Sequence, residues 1–385
     1  MSDILYDFGT GRSDPSTFPT QALQAAATKV IAEQAEEMTR YPGGLGHAGL
    51  RKLMAARESD REGVAINPDH LVITNGSMQA VTLSAEVLME QKGDVVLLEE
   101  YSYPGTLSAY RSLGLEMVGI SLDEGGMRIE HMEQELARLE SEGRRPKFIY
   151  AISTYQNPTG FIMPKARREQ MIALAAKYEV PIVEDNCYAD VHYEGPIEPA
   201  LFALDDNPNH IYLGSLSKIL APGFRLGYLY ARPPMLDRIL ARRNDAGSNF
   251  LASAIAAEFY KNGIAAHAAV TNPVLKAKRD LTTAGLAAEL DDLCVWSNPQ
   301  GGLFVWLRLP DDVDRPKLFS LAQENGVAYL PGVAFHYANR NKPFLRLAFG
   351  HLTPEQIQAG IPVLARCIRE ARTSNASREF ETLFD

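Results

Sequence analysis

Residues 214–227 of the chain read GSLSKILAPGFRLG and bring an amine, two hydroxyl groups and a guanidinium together within a short span. A β-rich run at 211–214 leads into them, and α/β folds place active groups at the carboxyl ends of strands. Ser215 and Ser217 lie beside Lys218, and Arg225 follows in a Gly/Pro turn. Together they can surround a phosphate while the amine reaches a carbonyl carbon. The alternative is a surface lysine beside a polar turn, and the serines and Arg225 argue against it.

On both sides of this stretch, short β-rich runs alternate with segments whose apolar residues recur at helical spacing. This alternation predicts an α/β fold, with a mostly parallel seven-stranded sheet flanked by helices. The predicted strands are 70–74, 94–99, 116–122, 147–152, 181–185, 211–214 and 226–231, and the clearest helical segments are 78–91 and 165–178.

After about residue 250 the sequence turns to Ala-rich helical stretches, and runs at 295–309, 327–330 and 344–348 then predict strands of a smaller α+β domain. Residues 19–38 indicate an N-terminal helix opened by Thr20. We therefore expect three parts: an arm and helix at 1–40 that pack with the small domain, a large domain at 41–270, and a small domain at 271–385. The polar segment 373–385 has two Phe near its end, and two interpretations stay open: a loose tail, or a segment docked on a neighbouring molecule.

Composition limits the classes of partner. The 385 residues carry a formal charge of −10 and no Lys/Arg-rich run, which argues against nucleic acid and anionic membranes and favours small molecules. Cys187, Cys294 and Cys367 lie too far apart for a CxxC pair, which suits a reducing compartment. The N-terminus resembles no signal peptide, and no apolar run approaches about 18 residues. We expect a cytoplasmic protein.

A second anion site is predicted where the first strand opens into a helix. The backbone amides of Gly76, Ser77 and Met78 can point at a phosphate there, although such a turn with Ser77 as a helix cap is also common.

Asp185 and Tyr188 end another strand, so a buried Asp185 can keep a pyridine nitrogen protonated while Tyr188 donates to a phenolate oxygen. A helix cap is the alternative for Asp185. Asn157, in an Asn-Pro turn after a further strand, can bond both that phenolate and a substrate carboxylate.

Three more residues are candidates for contact with a cofactor or substrate. Tyr103 can lay its ring on a pyridine face or serve as a core aromatic residue. Arg346 is a charged residue in an otherwise apolar strand, and such an arginine needs a carboxylate partner. Arg12 either faces a polar substrate group or is an exposed arginine.

Two patterns carry no site. Residues 44–49 read GLGHAG and fit the GxGxxG spacing, but a helical segment rather than a strand precedes them, so a dinucleotide site is rejected. His47, His192, His210 and His336 have no companions at ligand spacing, and we predict no metal.

Taken together, these motifs resemble the class I and II aminotransferases of the fold-type-I pyridoxal-phosphate superfamily, in the branch with α-aminoadipate and aromatic aminotransferases. The resemblance runs from about residue 7 to about residue 372. It implies pyridoxal 5′-phosphate as cofactor, bound in the large domain. By this resemblance the catalytic residues are Lys218, which forms a Schiff base and shuttles a proton, Asp185 at the pyridine nitrogen and Tyr188 at the phenolate oxygen.

The resemblance also assigns the binding residues. Asn157 is a second partner of the phenolate oxygen, Ser77, Ser215, Ser217 and Arg225 hold the phosphate, Tyr103 stacks on the ring, and Arg346 takes the α-carboxylate. Tyr41 matches a family tyrosine that reaches a phosphate across a dimer interface. An obligate homodimer is implied.

The resulting hypothesis is a two-stage transamination between an α-amino acid and a 2-oxo acid. The first rival is another reaction at the substrate Cα on the same fold, catalysed by a racemase, lyase or oxidase. The second is the ligand-sensing half of a transcription regulator, which we disfavour because the resemblance starts near Met1 and no helix-turn-helix precedes it.

Overall fold

The computed structural model describes residues 3–374 and 377–384. Its strands are β1 Tyr6–Asp7, β2 Leu71–Thr74, β3 Val95–Glu99, β4 Glu116–Ile120, β5 Leu122–Asp123, β6 Gly126–Met127, β7 Phe148–Ala151, β8 Ile182–Asp185, β9 Ile211–Ser215, β10 Gly227–Ala231, β11 Val295–Trp296, β12 Phe304–Arg308, β13 Val327–Ala328, β14 Leu330–Pro331 and β15 Phe344–Ala348. Its α-helices are α1 Thr20–Glu33, α2 Ala48–Glu62, α3 Ser77–Leu88, α4 Pro104–Leu113, α5 Ile129–Ser141, α6 Lys165–Lys177, α7 Leu201–Leu204, α8 Met235–Arg242, α9 Phe250–Phe259, α10 Ala265–Leu290, α11 Arg315–Glu324 and α12 Pro354–Glu370.

The main sheet has seven strands in the order β2-β10-β9-β8-β7-β3-β4, which confirms the predicted α/β fold. Only β10 runs antiparallel to its neighbours within this sheet. Every residue of β2, β3, β7, β8 and β9 is buried, because helices cover both faces of the sheet. Strands buried on both faces need nearly continuous apolar runs rather than alternation, and these runs made the sheet predictable.

A second sheet, in the order β11-β12-β15-β14, packs with α10, α11 and α12 around its own apolar core. Strand β15 has the predicted bounds, whereas the predicted strand 295–309 is two strands, β11 and β12. The turn at 299–302 separates them: Gly302 has a φ of +74°, and a Cβ at Gly301 would clash with the carbonyl oxygen of Val191. The predicted strand 327–330 also divides, because β13 pairs with β1 and β14 pairs with β15.

The N-terminal arm contacts two parts of the chain. Strand β1 pairs in parallel with β13, as expected of an arm that packs with the small domain. Helix α1 ends at Glu33 rather than near residue 38, and it packs against α9 instead of the small domain. The proposed boundary at 270 falls inside the continuous helix α10, so the domain limits stay predictions. Within the described residues, no helix is long and apolar enough to span a membrane.

A buried carboxylate joins α2 to the main sheet. The side chain of Glu58 forms salt bridges with Arg57 and Arg61. It also accepts hydrogen bonds from the hydroxyl groups of Tyr212 on β9, at 3.0 Å, and of Tyr228 on β10. Burial alone would raise the pKa of Glu58, but the two arginines and two hydroxyls keep it below its ordinary value.

We expect Glu58→Gln to lower the free energy of unfolding by about 3 kcal/mol, because a buried ion-pair network loses its central carboxylate, although Arg57 keeps Asp190 and Arg61 keeps Glu62. The depressed pKa means that this loss is complete above pH 4.5 and shrinks as the pH falls below it. Urea unfolding at both ends of that range measures the effect. Glu33→Gln, which breaks only an exposed 3.9 Å pair, should leave the free energy of unfolding almost unchanged. Equal losses in the two variants would contradict the account.

Candidate active site

A cavity of about 170 Å³ lies at the carboxyl-end edge of the main sheet. The ends of β2, β8 and β9 meet at this edge because these strands run in one direction. Nine of the predicted site residues line the cavity together with Ile152, Cys187 and Pro222: Ser77, Met78, Tyr103, Asp185, Tyr188, Ser215, Ser217, Lys218 and Arg225. Residues far apart in the sequence therefore share one pocket.

The amine of Lys218 faces this cavity. Lys218 Nζ donates a hydrogen bond to the carbonyl oxygen of Gly11 at 2.7 Å, and it lies 5.8 Å from the ring centroid of Tyr188. Loss of solvation, with a smaller contribution from two nearby arginines, lowers the pKa of Lys218 to about 8. A substantial fraction of this amine is therefore neutral and nucleophilic near neutral pH.

An anion cradle forms one side of the cavity. Gly76 has a φ of +79°, and a Cβ there would lie 2.6 Å from a terminal nitrogen of Arg225, so only glycine lets the guanidinium approach the start of α3. Ser77 opens that helix, whose first amides have no intrahelical acceptor. Buried Ser215 and Ser217 add hydroxyl groups, and Ser215 Oγ accepts from the Ser217 amide at 3.1 Å. Donors of this kind around a space fit a phosphate.

Asp185 supplies the carboxylate of the cavity. Its Oδ2 accepts from the hydroxyl of Tyr150 at 2.6 Å, and its Oδ1 accepts from the Cys187 amide at 3.2 Å. The Tyr150 hydroxyl lies 3.1 Å from Thr106 Oγ1, which fixes its direction. Burial raises the pKa of Asp185 in spite of these bonds. A protonated ring nitrogen would relieve that cost, so the site fits a pyridinium.

A chain of hydrogen bonds connects the cavity to the second sheet. Asn157 Nδ2 donates to the Tyr188 hydroxyl at 3.2 Å, and Arg346 Nη1 donates to Asn157 Oδ1 at 3.2 Å. Arg346 Nη2 donates to the carbonyl oxygen of Gly9 at 2.5 Å. Burial lowers the pKa of Arg346 to about 10. The Asn157 turn follows β7 of the main sheet and Arg346 lies on β15 of the second sheet, so this pair joins the two sheets.

The guanidinium of Arg346 lies between two aromatic rings and keeps one donor free. Its Cζ is 4.2 Å from the ring centroid of Phe304 and 5.0 Å from that of Phe335. Its Nε is buried without a hydrogen-bond acceptor, and no carboxylate of residues 3–374 or 377–384 forms a salt bridge with it. This geometry fits the predicted need for an external carboxylate.

Two predicted residues belong neither to the cavity lining and its anion cradle nor to the hydrogen-bond chain of Asn157 and Arg346. Tyr41 is 88% exposed, and Arg12 is also exposed and lies close enough to His351 to help lower the pKa of that ring, although burial is the larger cause. Sequence reasoning missed four residues that contact predicted ones: Tyr150, Gly9, Gly11 and Ser13, whose hydroxyl donates to the Lys218 carbonyl at 2.6 Å. Residues 9–13, which are small except for Arg12, were the only signal for the last three.

Comparison with known proteins gives a family match over most of the chain. The model of the family described as "Aminotransferase class I and II" matches residues 5–364. The aromatic-amino-acid aminotransferase 1 of Thermococcus litoralis is 35% identical over 374 residues, which cover 96% of this chain and 89% of that protein.

Solved structures agree with this match. The multiple substrate aminotransferase of Thermococcus profundus has a TM-score of 0.91 and 32% identity, covering 96% of this chain and 92% of that one. The α-aminoadipate aminotransferase LysN of Thermus thermophilus, solved in complex with N-(5′-phosphopyridoxyl)-L-leucine, has a TM-score of 0.88 and 30% identity, covering 95% of this chain and 92% of that one. The chain is therefore similar to these proteins in both sequence and fold.

The lowered pKa of Lys218 predicts how fast the amine condenses with pyridoxal phosphate at different pH values. Only the neutral amine attacks an aldehyde, and with a pKa of about 8 its fraction rises about tenfold between pH 7 and pH 9. We expect cofactor uptake by the cofactor-free protein, followed by visible absorbance, to rise by that factor and then level off. A rate that keeps rising tenfold per unit to pH 10 would mean an unperturbed amine.

Proposed function

The chain belongs to the class I and II aminotransferase family and is a pyridoxal-phosphate-dependent transaminase, and we propose that the residues of the cleft carry out its chemistry in the following roles. The observation that carries this proposal is the amine of Lys218, with its pKa of about 8, in one cavity with Asp185 and the anion cradle. A lysine that forms a Schiff base needs this combination of a neutral amine, an acid for a ring nitrogen and donors for a phosphate.

Residues of the site match the phosphate, the ring nitrogen, the phenolate oxygen and a ring face of the cofactor. Ser77, Ser215, Ser217, Arg225 and the amides at the start of α3 would hold the phosphate. Asp185, fixed by the Tyr150 hydroxyl, would hold a proton on the ring nitrogen. Tyr188 and Asn157, which are hydrogen-bonded to each other, would donate to the phenolate oxygen, and Tyr103, which also lines the cavity, would cover a ring face.

In the reaction itself, Lys218 acts as base and then as acid. When bound, pyridoxal phosphate supplies an electron-withdrawing ring that stabilises the charge left when the substrate Cα loses its proton. Lys218 Nζ takes that proton, which its lowered pKa permits near neutral pH. The rings of Phe304 and Phe335 keep water from the guanidinium of Arg346, which strengthens its interaction with an anion.

We propose that Arg346 and Asn157 bind the α-carboxylate of the amino acid and of the 2-oxo acid. The buried Nε of Arg346 has no acceptor among the described residues, and Nη1 already points to Asn157. A carboxylate placed against the guanidinium of Arg346 would receive charge-assisted hydrogen bonds. Contact of Arg12 with a substrate side chain also stays a proposal; the Arg12 side chain is exposed and does not line the cavity.

We also propose that the active unit is a homodimer. An open cavity of about 570 Å³ lies beside the exposed Tyr41 and is lined mainly by residues 42–49 with Phe250. A second copy could cover this surface and receive the Tyr41 hydroxyl at its phosphate, as the resemblance implied. A cytoplasmic location likewise stays a proposal, which rests on the wide spacing of the three cysteines.

Lys218→Ala tests the central assignment. We expect transaminase turnover to fall by about 10⁴-fold, because the variant loses the group that moves the Cα proton. The visible absorbance of the cofactor bound to the protein should disappear as well. Lys177→Ala, which removes an exposed lysine on α6, is the matched control and should keep both.

A half-reaction distinguishes transamination from the rival reactions at Cα. The wild-type protein, given an amino acid and no oxo acid, should form one equivalent of 2-oxo acid and one of pyridoxamine phosphate. Continued release of product, or inversion of the amino acid without oxo acid, would contradict transamination.

Sedimentation analysis tests the dimer, and we expect the protein to sediment at twice its chain mass. The Tyr41→Phe variant should sediment at the same mass. The variant should bind the cofactor about tenfold more weakly, since one hydrogen bond to a charged phosphate is lost. Tyr178→Phe serves as the control. A fully active monomer, or an unchanged cofactor affinity in Tyr41→Phe, would refute the proposed role of Tyr41.

A further inference from the structure

The C-terminal segment packs on its own chain in the structure. Neither earlier interpretation, a loose tail or a segment docked on a neighbour, holds for residues 378–384. Arg378 donates 3.0 Å hydrogen bonds to the carbonyl oxygens of Asp291 and Cys294, just after α10. The Phe380 ring is buried beneath the guanidinium of Arg308, 4.0 Å from its centroid. This part of the segment is fixed to the small domain.

The last described residues lie at the junction of the two domains. Leu383 is buried in an apolar cluster that combines residues of the main sheet with Trp306, Phe335 and Phe344 of the small domain. The ring of Phe384 has one neighbour from each side: Phe161, with centroids 6.2 Å apart, and Phe344, with centroids 6.1 Å apart. Phe384 therefore bridges the two domains.

Each neighbour of Phe384 supports one of the two residues that we assign to the substrate carboxylate. The carbonyl oxygen of Phe161 accepts from the Gln156 amide at 2.9 Å, which closes the turn that carries Asn157. Phe344 begins β15, the strand that carries Arg346 two residues later. The ring of Phe384 thus contacts the supports of both partners in the Asn157–Arg346 hydrogen bond.

On the side of β15, the rings at this junction are tightly packed. The ring of Phe344 stacks on Trp306 with centroids 5.0 Å apart and planes 11° apart. Trp306 in turn pairs directly with Arg346 in the β12–β15 register. A displacement of Phe344 would therefore shift the backbone from which Arg346 projects, because tightly packed rings transmit small movements.

We propose that Phe384 is a positioning residue for substrate binding, holding the turn of Asn157 and the strand of Arg346 at the separation that an α-carboxylate needs. The inference rests on the proposed role of Arg346 and Asn157. By this inference the C-terminal segment affects substrate binding through Asn157 and Arg346, without itself contacting the substrate or the cofactor. Phe384→Ala should leave the segment docked, because Arg378, Phe380 and Leu383 hold it independently.

The test is steady-state and binding analysis of full-length Phe384→Ala with its cofactor. We expect KM for the amino donor to rise about tenfold, and Ki for a carboxylic acid that lacks the amino group to rise equally, while kcat changes less than about threefold. Cofactor absorbance should stay at the wild-type level. Phe384→Leu should recover most of the affinity, and Glu379→Ala, an exposed position of the same segment, should match the wild type in every measurement.

The inference is overturned if KM and Ki of Phe384→Ala equal those of Glu379→Ala, or if kcat and cofactor content both fall while KM rises, as general loosening would produce. A double-variant cycle with Phe161→Ala adds a second test. The two effects on KM should be clearly less than multiplicative if both rings act through the same turn, and independent effects would contradict the proposal. If the proposed function itself is wrong, the wild-type protein will lack transaminase activity. That result is distinct from a failure of the inference about Phe384, in which the wild type stays active.

Discussion

The partial loss of solvation at the half-buried Lys218 amine is the constraint on which the rest of the site depends. Within the described residues, no carboxylate forms a salt bridge with this amine, and two further cations, Arg225 and Arg346, contribute to lowering its pKa to about 8. Three cationic side chains around one small cleft raise the cost of charge there, which keeps the amine reactive. The same excess of positive potential favours a ligand with several negative charges. A phosphate and a carboxylate would satisfy it.

The fold meets this constraint by drawing the groups from separate elements. Parallel strands bring Asp185 and Lys218 to one edge of the main sheet, and β15 of the small domain brings Arg346 to the facing wall. The N-terminal arm contacts both walls, because Gly9 accepts from Arg346 and Gly11 accepts from Lys218. The site is therefore assembled from two sheets and the N-terminal arm, and Phe384 lies where the packing of the two sheets meets.

The sequence predicted the main sheet, and nine of the residues that it singled out line one cavity, for physical reasons that particular residues illustrate. Lys218, with its serines and Arg225, is an unusual set for a strand end, and Asp185 ends a buried, mainly apolar strand, so chemistry was the simplest explanation for both. Tyr150 escaped notice because a tyrosine in a buried strand is ordinary, and nothing local reveals that its hydroxyl reaches Asp185. Gly11 and Phe384 were missed because their roles depend on contacts with distant parts of the chain. The split of 295–309 was missed because β-rich residues continue on both sides of the turn.

The most direct test of the account is to find which lysine carries the cofactor. The holoenzyme is reduced with borohydride, digested, and mapped by mass spectrometry for a phosphopyridoxyl group. The account predicts stoichiometric label on the peptide that contains Lys218 and none elsewhere. Label on another lysine, or protein that takes up the cofactor without becoming labelled, would contradict it.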